Sequence, residues 1–187
     1  MNNKYTMKQS IKKIIAMLTL VVAFTSCNQG PSLQTYFVDN ELKPGFISAD
    51  LPTSLINVEN VDFTDEQKEA YESINKLNVL AFKVGADNIE EYKEELKKVK
   101  VILKNEKYEE LMRGGNSTDG KFSVNFIGDV DSIDELIVFA NANDKGFLVA
   151  RVLGDDMNAG KLMSLQSALK DMNFDDANLN GITDFFK

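Results

Sequence analysis

Between residues 89 and 153 the apolar residues change their period, and that change limits the folds open to the chain. Ile89, Tyr92, Leu96, Val99 and Leu103 recur at spacings of three and four, with Glu and Lys between them. This spacing predicts an amphipathic helix laid against an apolar surface. Asn88 stands where a cap belongs, and Glu91 three residues on would complete a capping box. The charges from Glu90 to Lys100 read as a solvated face laced with pairs such as Glu94 and Lys98. Beyond this helix the repeat falls to two. Phe122, Val124 and Phe126 alternate with Ser123 and Asn125, the pattern of a strand with one buried face. Ile133 to Ala140 is more continuously apolar and reads as a central strand. Asn143-Asp144-Lys145-Gly146 is a hairpin turn, and Phe147 to Leu153 is the strand that follows it.

The flanking segments supply the remaining elements. Phe46 to Leu51 alternates after the turn Lys43-Pro44-Gly45 and stops at Pro52. Thr64-Asp65-Glu66-Gln67 is a capping box that opens a helix with Ala70, Ile74 and Leu77 on one face. Val79 to Val84 reads as a strand ended by Gly85, Lys107 to Met112 fits a strand less clearly, and Leu162, Leu165, Leu169 and Met172 mark a closing helix. The expected fold is α+β with two layers: a mostly antiparallel sheet of four to five strands, with helices packed on one face. This domain is expected over residues 40–175, with Leu96 central to the helix–sheet interface and a polar tail over 176–187.

The first residues carry a different message. Lys4, Lys8, Lys12 and Lys13 precede an apolar run from Ile14 to Phe24, and small Thr25 and Ser26 follow. A basic head, an apolar middle of about 7–15 residues and a small-residue end describe a secretory signal peptide, here residues 1–26. A membrane-spanning helix needs about 20 apolar residues, more than this run contains. Phe24-Thr25-Ser26-Cys27 then resembles the lipobox of bacterial lipoproteins, with Phe24 where Leu is usual. That resemblance implies a diacylglycerol on the Cys27 thiol. Cys27 is the only cysteine, and an unpaired thiol in an oxidising compartment is a liability unless it is modified. Acyl chains there would hold the protein on a membrane. Asn28, Gln29 and Gly30 bring no acidic cluster, which favours a periplasm-facing anchor in an outer membrane. Residues 27–39 read as a lipidated tether.

Without the leader's four lysines, 17 basic residues face 29 acidic ones, a net charge of −12 against −8 for the whole chain. Such acidity argues against nucleic acid, whose backbone must be met by Lys and Arg. It also discourages broad adhesion to anionic lipid, leaving the acyl chains as the anchor.

The order of elements carries one further likeness. Lys107-Tyr108-Glu109-Glu110-Leu111-Met112 precedes a loop, and the paired strands Glu135-Leu136-Ile137-Val138-Phe139 and Gly146 to Gly154 come after it. This arrangement resembles the domain of unknown function family 4252, small lipoproteins of Bacteroidetes, over roughly Phe46 to Met172. The resemblance implies an envelope lipoprotein with no assigned activity and no catalytic residues to carry over.

Three stretches imitate chemical sites. Gly115 to Phe122 fits G-x-x-x-x-G-K, but Phe122 stands where Ser or Thr must bind magnesium and a strand, not a helix, is expected next; a hairpin loop is the better reading. Asp176, Asn178 and Asn180, with Gly181 in sixth place, copy the start of a calcium loop, but Lys187 occupies the position of its closing glutamate. The expectation is no metal site. Asp131-Ser132-Ile133 resembles an acceptor triplet for O-linked glycans, with Ser132 as the acceptor, and Asp-Ser is also ordinary turn chemistry. The chain has no histidine, so the commonest catalytic base is missing. Two readings follow: a non-catalytic, membrane-tethered module that docks an envelope protein or a small ligand, and a periplasmic enzyme using Asp and Glu. The first is preferred, with no cofactor.

Overall fold

In the computed structural model, which describes residues 30–55, 58, 61–116, 118, 120–142 and 144–168, the alternating stretches form one antiparallel sheet. Its strands are β1 (Phe46–Pro52), β2 (Ile74–Lys83), β3 (Glu109–Asn116), β4 (Gly120–Asp129), β5 (Ser132–Ala142) and β6 (Gly146–Met157), in the spatial order β1-β2-β6-β5-β4-β3. Four helices accompany them among the described residues: α1 (Leu33–Asn40), α2 (Asp65–Glu72), α3 (Ile89–Ile102) and α4 (Ala159–Ala168). The α+β class is as expected, and the hairpin turn between β5 and β6 falls where its sequence places it.

The sheet has six strands rather than four to five, and its helices cover both faces rather than one. Antiparallel partners share a face, so register settles the sides. Leu80, Phe82, Ile137, Phe139, Phe147 and Val149 form the first face and pack against Leu33, Tyr36 and Phe37 of α1 and Tyr92, Val99 and Ile102 of α3. The second face carries Phe126, Leu136 and Val152, which pack with Ala70 of α2 and Ala159, Leu162 and Leu165 of α4. The cause is visible in β6, where Leu148, Ala150 and Val152 are apolar at one parity while Phe147 and Val149 are apolar at the other. A strand apolar at both parities is covered on both sides. A smaller cluster of Leu51, Val79, Ala81 and Leu148 also lies on the second face and is built from strand residues.

Five local expectations change with the structure. Residues 33–39, read as tether, lie in helix α1, because Leu33, Tyr36 and Phe37 at spacings of three and one make a single apolar stripe. All three are buried, so the folded unit starts at Leu33 and not at residue 40. The Thr64 capping box forms as expected, with the Thr64 hydroxyl accepting from the Gln67 amide and Gln67 Oε1 accepting from the Thr64 amide. Its helix ends at Glu72, however, and Ile74 and Leu77 belong to β2, which reaches its alternation through an irregularity between Ile74 and Lys76. Asn88 makes no side-chain cap for α3. Its amide bridges Gly85 N and Lys83 O instead, tying the loop back to β2. Val99 rather than Leu96 is the fully buried residue of α3, and Lys98 pairs with Glu95, not Glu94.

Candidate functional site

Two polar features stand out against this frame. The first lies under α1. Arg151, the lone charge in the apolar run of β6, is 3% exposed. Its Nε and Nη2 donate to Glu135 Oε1 and Oε2 at 2.7 and 3.0 Å, and its Nη1 donates to Gln34 Oε1 at 2.7 Å. The guanidinium also lies 5.2 Å from the centre of the Phe37 ring, a favourable cation–π placement. Nearby, the Tyr36 hydroxyl donates to Glu95 Oε2 at 2.8 Å, and Lys98 meets the other carboxylate oxygen at 2.7 Å. Burial, then the hydrogen bond to Glu95 and its charge, hold the Tyr36 phenol far above its ordinary range. The Leu33 amide donates to the Tyr108 hydroxyl at 3.0 Å. Each charged group here is satisfied by a neighbour, so the cluster fixes α1 to the sheet and leaves no free valence for a substrate.

The second feature is a groove of about 550 Å³ where the β3–β4 and β5–β6 hairpins end. Small residues make the space: Gly115, Gly120, Ala140 and Ala142 line it beside Phe122. Gly115 has φ +92°, and a Cβ there would lie 2.2 Å from the Gly120 carbonyl oxygen, so no larger residue fits. The volume is that of a small-molecule site. Asn141 belongs to the same wall, but its side chain is buried beside the Tyr92 hydroxyl on the other face of the sheet. Burial pushes the Tyr92 phenol up. Among the described lining residues Asp144 is the one acid, with Lys121 and Lys145 as the bases. This arrangement can place charges around a ligand, but it brings no two carboxylates together for acid–base work.

The residues singled out by sequence are placed as follows. Cys27, Asp176, Asn178 and Asn180 lie outside the described residues. Ser132 begins β5 just after a tight turn, half-buried, with its hydroxyl donating to Asp156 Oδ1 at 2.9 Å. The G-x-x-x-x-G-K stretch runs through the β3–β4 hairpin with a strand after it, and it contributes Gly115 and Gly120 to the groove. Among the described residues no three His, Cys, Asp or Glu side chains gather to hold a metal, and no helix is long and apolar enough to cross a membrane. Sequence reasoning missed Arg151, Glu135 and Asn141. A charge or amide at an inward position of an otherwise apolar strand is the signal that could have found them.

Architecture and groove define an α+β protein built on one all-antiparallel six-stranded sheet with helices on both faces. More narrowly, the chain belongs to the family described as Domain of unknown function (DUF4252), whose model matches residues 41–165, from just after α1 into α4. The likeness seen in Glu135 to Phe139 and Gly146 to Gly154 lies inside that match. No curated protein and no solved structure matches the chain.

Proposed function

We propose that the protein is a lipid-anchored, non-catalytic module of a bacterial envelope, which binds a partner or small ligand in the groove at the hairpin ends. One observation carries the binding half of this reading: a ligand-sized groove walled by Gly115, Gly120, Ala140, Ala142 and Phe122, with Lys121, Lys145 and the single described acid Asp144 around it. The anchoring half rests on the leader and on Cys27, read as the first mature residue and as acylated. The membrane is the outer one and the protein faces the periplasm, as the acid-poor residues 28–30 suggest.

Ala140→Trp tests the binding half. An indole at Ala140, which pairs with Phe122 on the groove wall, is expected to fill the groove, so that adducts from a photo-cross-linker placed at Phe122 disappear while the protein stays folded. Unchanged adducts, or none in the parent, would remove the groove from consideration. Cys27→Ala tests the anchor. It is expected to release the protein into the soluble envelope fraction or to leave the leader uncut. An unshifted variant, with no acyl adduct in the mass spectrum of the parent, would refute anchoring.

A further inference from the structure

Helix α1 fixes where an anchor on Cys27 meets the folded unit. Leu33 N sits at the Tyr108 hydroxyl, in the turn that follows α3. That turn is tightly wound: the amides of Lys104, Asn105 and Tyr108 donate to the carbonyls of Val101, Ile102 and Asn105. From Cys27 to Leu33 there are six residue steps, at most about 20 Å of extended chain. A lipid on Cys27 therefore keeps the Leu33–Tyr108 region close to the bilayer.

This region is a lysine-rich stretch between the acidic pairs Glu94–Glu95 and Glu109–Glu110. Residues 96–108 hold five lysines and one acid, Glu106. Lys97, Lys100 and Lys104 recur at spacings of three and four along the outer stripe of α3 and the turn beyond it, all exposed. None of the three has a carboxylate partner among the described residues, whereas Lys98 is held by Glu95. The Lys107 ammonium lies 4.8 Å over the ring of Tyr108, whose hydroxyl meets Leu33. A helix C-terminus favours cations in its last turn, which accounts for Lys100 alone. Partial burial and then the nearby Lys121 push the Lys100 ammonium down.

We propose that Lys97, Lys100, Lys104 and Lys107 rest on the anionic headgroups of the bilayer that holds the Cys27 lipid, and so orient the domain on the membrane. This rests on the reading that Cys27 carries the anchor. The acyl chains supply retention. The lysines supply direction, because the acid-rich remainder is repelled by the same surface.

The acylated full-length protein is placed in vesicles of phosphatidylcholine alone, and in vesicles in which phosphatidylglycerol is about a third of the lipid, enough for a negative surface potential. Lysines are labelled briefly with an amine-reactive ester and quantified one by one by mass spectrometry. Lys97, Lys100, Lys104 and Lys107 are expected to label about fivefold more slowly on the anionic vesicles, with Lys68 and Lys76 unchanged and the protection lost in high salt. In Lys104→Glu/Lys107→Glu the protection of Lys97 and Lys100 should vanish while the protein still floats with the vesicles. Equal labelling on both vesicles by protein that floats overturns the proposal and leaves the anchor standing. Protein that neither floats nor carries an acyl adduct overturns the anchor and the proposal with it. Protection in native envelopes but not on anionic vesicles would assign the lysines to an acidic protein instead, and would also overturn the proposal.

Discussion

Removing the Arg151 guanidinium should cost the protein much of its stability, and removing Glu135 as well should restore it. The pair is bidentate, with contacts of 2.7 and 3.0 Å between side chains 4% and 12% exposed. Arg151→Met keeps much of the side-chain volume but leaves the Glu135 carboxylate in place without its cation, and Gln34 Oε1 without its donor. Breaking a buried pair from one side costs about 3–5 kcal/mol, against about 5–15 kcal/mol for the whole stability of a domain. The pair's net worth relative to apolar residues of similar size is near zero or negative, because two charges no longer have to be stripped of water. Arg151→Met/Glu135→Leu is therefore expected within about 1 kcal/mol of the parent. Urea unfolding followed by circular dichroism reads both variants. With a slope of about 2 kcal/mol per molar, the single change should lower the midpoint by about 2 M. A single variant that melts with the parent, or a double variant as weak as the single, would show that the pair is not desolvated as its geometry requires.

Phe37→Ala should cost about 3–5 kcal/mol in the same assay, because the ring is buried under Arg151; an unchanged midpoint would return α1 to the status of a tether. At alkaline pH the buried phenol of Tyr36 matters. Its folded pKa is raised, so its contribution is intact below the unfolded value of about 10 and is lost as pH rises from there toward the folded value. Tyr71 and Tyr92 shift the same way through burial. Thermal midpoints should fall above about pH 10, and less steeply in Tyr36→Phe; parallel profiles would refute this. Finally, calorimetric titration with calcium should give no saturable heat tighter than about millimolar, and a micromolar site abolished by Asp176→Ala would make Asp176, Asn178 and Asn180 true ligands.

The sheet was legible in the sequence because strands with a repeat of two leave an unambiguous trace, as Phe122, Val124 and Phe126 do. Its second helical layer was not, because β6 is apolar at both parities and a continuous run does not say how many sides it buries. Helix α1 was hidden by composition. Asn, Gln, Ser and Thr around it outweigh three apolar residues, although their spacing is helical. Ile74 and Leu77 fit a helix register by distance alone, and only pairing with Gly154 and Val152 assigns them to β2. The groove could not be read at all. Gly115, Gly120, Ala140 and Asn141 come together through strand pairing across β3, β4 and β5, and no local pattern announces that meeting. Arg151 is the instructive case: its apolar neighbours predicted the strand correctly, yet the one residue that broke the pattern ties α1 to the sheet.

The place of β6 also sets the order in which this fold can come into being. β1 and β2 pair across the connection that holds α2, and β3, β4 and β5 form a separate meander. β6 is hydrogen-bonded to β2 on one side and β5 on the other, and it is the last of the described strands to leave the ribosome. Until then Val79 has no Ala150 and Ile137 no Arg151, so the two groups of strands share no seam and α1 lacks the Arg151 that ties it to the sheet. Contacts this distant along the chain are slow to close. Resistance to protease in a growing chain is therefore expected to arrive late and in one step, once residues beyond Met157 have emerged, rather than strand by strand.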